Sequence, residues 1–122
     1  MTYVHARNHR TPVPARARTD EEMWGEDVRS GDHCITVDPE HPNYAHILCL
    51  CPCNCGSMMN LPLFRTGTPK EIAPKNYSGA NWEWNGNVER PSLAPSIRDL
   101  SGCHFHGHLR DGVWTFEGDS GA

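Results

Sequence analysis

The stretch "CLCPCNCG", residues 49–56, holds four of the chain's six cysteines on alternate positions. Few folds accommodate thiols packed this tightly. In an extended segment the four would share one side, because side chains alternate along a strand. Pro52 and Gly56 make a turn the better expectation, and a turn lets Cys51, Cys53 and Cys55 converge on one ion. A tetrahedral structural zinc then needs one more thiolate or imidazole. The distant donors lie in "CHFHGH": Cys103, His104, His106 and His108. The spacing is C-x-C-x-C rather than the C-x-x-C of common zinc knuckles. The competing readings are buried free thiols or strained neighbouring disulfides. Zinc is the default metal for a thiolate site, because nothing here matches a common iron–sulfur spacing.

The rest of the chain explains why a metal would help. There are 122 residues, enough for one domain, and apolar residues make up only 37%. Gly and Pro are abundant, at 11 and 10 residues. A thin core with many loops is commonly braced by a metal or by disulfides. No apolar run approaches the ~20 residues that span a bilayer. The opening "MTYVHARNHRTPVPARARTDEE" has no apolar signal region. A cytoplasmic protein, of a bacterium or encoded by phage in its host, is the expectation, and cysteines there stay reduced.

Charge divides the chain. Residues 1–18 carry Arg7, Arg10, Arg16 and Arg18 and no acid, whereas the remainder carries seven basic and fifteen acidic residues. Residues 1–30 read as a basic arm, disordered in part and with a short helix. Residues 31–122 read as the metal-stabilised β domain. The acidic body argues against nucleic acid as the main ligand.

The expected fold class is mostly β: short antiparallel strands, long loops and one short helix near the N-terminus. Thr19 or Asp20 would cap that helix, with Glu21 and Glu22 in its first turn. "HCITV" (33–37), "AHILCL" (45–50) and "SMMNLPLF" (57–64) are strand candidates, the last two as arms of a hairpin around the cysteines. Residues 65–80 form a long loop. "CHFHGHL", "RDG" and "VWTF" read as a second hairpin. Its alternation would put His104, His106 and His108 on one face. Pro91 and Pro95 keep "RPSLAPSI" out of helices and central strands.

That Pro-shaped serine segment precedes the histidine strand by about ten residues. A serine held on a rigid turn near an imidazole is a nucleophile with its base. Three alternating histidines are equally a catalytic metal site. A non-catalytic binding role is the third option, since turn chemistry alone accounts for Pro-Ser.

The elements "CPCNCG", "W-x-W", "SLAPSI" and "C-x-x-H", followed by a "G-V-W" strand, resemble a family of small bacterial and phage proteins. They occur beside ubiquitin-like conjugation genes, as the BubE-type serine deubiquitinases. The resemblance spans about residues 33–117. It implies a structural zinc on Cys51, Cys53, Cys55 and Cys103, with Cys49 a spare buried thiol. It also implies a peptidase or isopeptidase with Ser96 as nucleophile and His106 as base. Ser92 is a supporting residue or the nucleophile itself, and Ser101 a weaker candidate. The partner would be a ubiquitin-like protein or its conjugates, whose extended tail Trp82 and Trp84 could line. The rival readings are a non-enzymatic interaction module and a zinc hydrolase on His104, His106 and His108. His104 and His108 depart from the family pattern. Glu83, Glu89 and Asp99 lie near in sequence, and none stands out as a third catalytic residue.

Overall fold

A computed structural model describes residues 11–69, 81–99 and 103–121. The elements in chain order are β1 (Val13–Pro14), α1 (Asp20–Met23), β2 (His33–Val37), β3 (Tyr44–Leu50) and β4 (Met58–Arg65), then β5 (Trp82–Trp84), β6 (Leu93–Ala94), β7 (Ile97–Arg98), β8 (His106–Arg110) and β9 (Val113–Phe116). The fold is mostly β, as composition and turn spacing suggest. Two sheets form, ordered β2-β3-β4-β5-β6 and β1-β9-β8-β7. No described helix is long and apolar enough to cross a membrane.

Alternation fixes the core. In β3, Ala45, Ile47 and Cys49 point inward, and in β4 Met59, Leu61 and Leu63 do so. The antiparallel register stacks them directly, with Ile47 opposite Leu61 and Cys49 opposite Met59. The second sheet contributes Leu109, Trp114 and Ile97, all buried. Phe105, just before β8, meets Trp114 and Phe116 edge-on, at centroid distances of 5.9 and 5.5 Å. Gly107 is required by this packing: a Cβ there would lie 2.0 Å from the Thr115 carbonyl oxygen and 2.7 Å from the Phe105 ring.

Residues 13–18 run between the sheets. Val13 and Pro14 pair with Trp114 and Val113 of β9. The chain then crosses to β2, where the Arg18 N–H donates to the His33 carbonyl at 2.7 Å and the His33 N–H donates to that of Arg16 at 2.9 Å. Arg16 also holds buried Asp32 through two guanidinium nitrogens, at 3.0 and 2.7 Å. Thr19 caps α1 in a reciprocal box with Glu22, at 3.1 and 2.9 Å, which satisfies two backbone donors the helix cannot.

The second hairpin is shorter than the pattern suggests. Its first strand starts at His106, not Cys103, because His104 takes a left-handed φ of 55°. Asp111 and Gly112, both at positive φ, make the tight turn to β9. β5 joins β4 in parallel, a pairing that no local turn signal announces.

Candidate active site and thiolate cluster

The two arms of the β3–β4 hairpin deliver the cysteine loop. The Cys51 N–H donates to the Ser57 carbonyl at 2.8 Å, closing the ladder below it. Asn54 and Gly56, at φ 70° and 83°, then turn the chain back on itself. Cys51, Cys53, Cys55 and Cys103 have their sulfurs within 4.8 Å of one another. Cys51 Sγ is 3.0 Å from Cys53 Sγ and 3.5 Å from Cys103 Sγ. A tetrahedron of Zn–S bonds of about 2.3 Å has S···S edges of roughly 3.8 Å, inside this range. The four residues are thus a donor set that could hold a metal ion. Three are buried and Cys55 is partly so.

Without a cation such a cluster is electrostatically costly. The Cys51 thiol is raised by its hydrogen bond to Cys53 and by burial. Burial raises that of Cys103. Cys53 is lowered, accepting from Cys51 foremost. A divalent ion would deprotonate them all. Cys49 stands apart. It is fully buried, pushed up to about 12 by that burial.

The serine segment and β8 meet on the outer face of the second sheet. Arg98 and His106 are paired residues of β7 and β8. Ser96, two residues before Arg98, shares its face. Ser96 Oγ lies 3.2 Å from His106 Nε2. On the far side of the ring, Nδ1 lies 2.6 Å from Asp119 Oδ1. Asp119 also pairs with the Arg98 guanidinium, which itself comes within 3.0 Å of Nδ1. A carboxylate at that separation requires the proton on Nδ1. Nε2 is then left as an acceptor for the serine hydroxyl. The bond to His106, then Arg98, holds the Asp119 carboxyl down to about 2. Asp119 is therefore ionised across the working range.

The C-terminal turn is built onto β8. The Glu117 N–H donates to the His106 carbonyl at 2.9 Å and the His106 N–H donates to Ser120 Oγ at 3.0 Å. The Gly121 N–H reaches the His104 carbonyl at 2.7 Å. Asp119 is thus placed by main-chain bonds, with its side chain half exposed. The sequence offered Glu83, Glu89 and Asp99 as nearby acids. Asp119 was not among them, because thirteen positions and a hairpin separate it from His106.

The other named residues fall as follows. Ser92 Oγ accepts from the Asp111 N–H at 2.7 Å, tying the serine segment to the β8–β9 turn. Trp82 and Trp84 are buried. The Trp82 indole donates to the Ser96 carbonyl at 3.3 Å and that of Trp84 to the Asn87 carbonyl at 3.1 Å. The Trp82 indole thus braces the serine segment, and that of Trp84 the turn that precedes it. Ser101 lies outside the described residues. The three histidines do not converge. His106 faces Ser96 and Asp119, His108 bonds Glu117 at 2.5 Å and Arg110 at 3.2 Å, and His104 is off the strand. Among the described residues the four cysteines are the metal-competent group.

The model of the BubE family, the bacterial ubiquitination-like system serine protease, matches residues 18–117. The chain belongs to this family. The family's name makes it one of serine proteases from a bacterial ubiquitination-like system. The match includes the cysteine loop, the serine segment and β8, and stops two residues short of Asp119. No curated protein matches the chain, and no solved structure does.

Proposed function

We propose that this protein is a zinc-stabilised serine peptidase that cleaves the peptide or isopeptide bond at the tail of a ubiquitin-like protein. The observation that carries the reading is the line Ser96 Oγ, His106, Asp119, with contacts of 3.2 and 2.6 Å. Ser96 attacks the carbonyl carbon while His106 Nε2 takes its proton. The imidazolium is stabilised by ionised Asp119, and it then delivers the proton to the leaving amine. Asp119 keeps the Nδ1 tautomer, and Arg98 orients Asp119. Trp82 holds the Ser96 carbonyl, so the hydroxyl faces the imidazole.

The role proposed for zinc is structural. Four thiolates close its coordination, which leaves no position for water or substrate. When bound, it cross-links the β3–β4 loop to Cys103. His106 follows Cys103 by three residues, so this brace fixes the approach of β8 to the serine segment. The partner is a ubiquitin-like protein or its conjugate, in the cytoplasm of a bacterium or of a phage-infected host. A serine-reactive fluorophosphonate should label wild-type protein on Ser96, located by mass spectrometry of the digest. It should fail to label Ser96→Ala of equal zinc content. A wild-type protein that takes no label and cleaves no conjugate would instead be a zinc-braced interaction module.

A further inference from the structure

Two strand edges, one from each sheet, line a single groove whose β7 wall begins at Ile97, the residue after Ser96. β5 pairs with β4 only along Leu63–Arg65. From Met58 to Pro62, β4 therefore has β3 as its only strand neighbour among the described residues. The Cys51 N–H bond to Ser57 sets the phase of the β3–β4 ladder, making Cys49–Met59 and Ile47–Leu61 its hydrogen-bonded pairs. The N–H and C=O of Met58 and Asn60 then point away from β3, toward the open side. Pro62 falls on the same side, where a residue without an N–H is tolerated.

β7 is the end strand of its own sheet. The Asp99 N–H donates to the Phe105 carbonyl at 2.8 Å, so Ile97–Gly107 is a hydrogen-bonded pair and Arg98 is not. The Arg98 N–H and C=O thus also point outward. Residues 58–61 and 97–99 form the walls of a groove of about 330 Å³ between these edges. At the Ser96 end, the same side of the chain is taken by the Trp82 indole. The groove thus stops beside the nucleophile.

Open edges invite another strand, and an extended peptide recognised through its main chain supplies one. We propose that the groove between β4 and β7 receives the substrate's extended tail as an added strand, hydrogen-bonded to Arg98 on one side and to Met58 and Asn60 on the other. This rests on the assignment of Ser96 as nucleophile. The last tail residue leaves the groove where Trp82 closes it, which presents its carbonyl to Ser96 Oγ. Main-chain recognition between two walls favours a tail of small residues such as glycine.

The probe is a synthetic pentapeptide, Ala-Leu-Ala-Gly-Gly, as its C-terminal aminocoumarin amide. Amide hydrogen exchange is followed by NMR on full-length Ser96→Ala, with the peptide added to millimolar concentration. The amides of Met58, Asn60 and Arg98 should slow by tenfold or more. No slowing at these three overturns the groove, whether or not wild type cleaves the peptide. Cleavage by wild type decides the Ser96 assignment separately, so the two ideas fail independently. A second arm uses Asn60→Pro, which removes an N–H that points away from β3 and that the β3–β4 ladder does not use. With zinc content intact, its kcat/KM for the same peptide should fall about tenfold below that of Asn60→Ala, which keeps the N–H. Equal values for the two variants would also overturn the groove.

Discussion

Asp119 Oδ1 lies 2.6 Å from His106 Nδ1, in a turn the chain reaches only after β9 has ended. The contact decides which ring nitrogen carries the proton, and so whether Nε2 can act as a base toward Ser96. Asp119→Asn keeps the shape but offers Nδ1 an amide that can present its N–H side and reverse the tautomer. The expected result is a fall in kcat of about 10²–10⁴-fold with KM little changed. Asp119→Glu should recover part of the loss. An equal change in kcat and KM, or none in either, would mean the acid merely pins the C-terminal turn.

Ser96 and Ser92 separate by what their hydroxyls touch. Ser96 faces the imidazole, so Ser96→Ala should reduce peptide cleavage to below about a thousandth of wild type without loss of zinc or fold. Ser92 accepts from the Asp111 N–H, and removing it frees one backbone donor. Ser92→Ala should cost about 1 kcal/mol, read as a fall in Tm of about 4 °C for a chain of this length, with most activity kept. The reverse pattern in the two variants would exchange their roles.

What could be read from the chain, and what could not, follows from range. The strands of the first hairpin were legible because Ala45, Ile47 and Cys49 alternate with polar or half-buried neighbours against Met59, Leu61 and Leu63. The cysteine loop was legible because three ligand candidates fall within five residues. Asp119 was not, because it meets His106 only after a strand, a turn and a second strand have folded. The parallel β4–β5 pairing was hidden for the same reason: neither partner carries a turn that announces it. His104 was misplaced on the histidine face because an alternation rule cannot see a left-handed residue inside its run.

His33 predicts how stability depends on pH. It is buried in β2, with Nε2 donating to the Val88 carbonyl at 2.8 Å. Burial foremost lowers its pKa from the usual 6.5. The unfolded chain therefore takes up the proton more readily than the folded one. The stability tied to neutral His33 is whole above pH 6.5 and is lost as pH falls from there through the folded value. Thermal unfolding at a series of pH values below 7 should show Tm falling on acidification. His33→Gln should flatten that slope. An unchanged slope in the variant would assign the effect to other groups.

The four cysteines and the spare one give the last contrast. Cys103 is the only member of the cluster outside the β3–β4 loop, so it alone ties that loop to β8. Cys103→Ser should lower metal content and Tm together, and activity with them, because His106 loses its anchor. Cys49→Ala deletes a buried thiol that faces Met59 and not the cluster. It should keep the full metal content while paying only for a small cavity. Wild-type protein should carry one zinc per chain by elemental analysis, and a chelator strong enough to strip it should unfold the domain and stop cleavage in parallel. The distinguishing measurement is the order of events under chelation. Activity lost while the near-ultraviolet circular dichroism stays native would place a metal at the chemistry. Simultaneous loss would leave the ion as the brace that holds β8 against the serine segment.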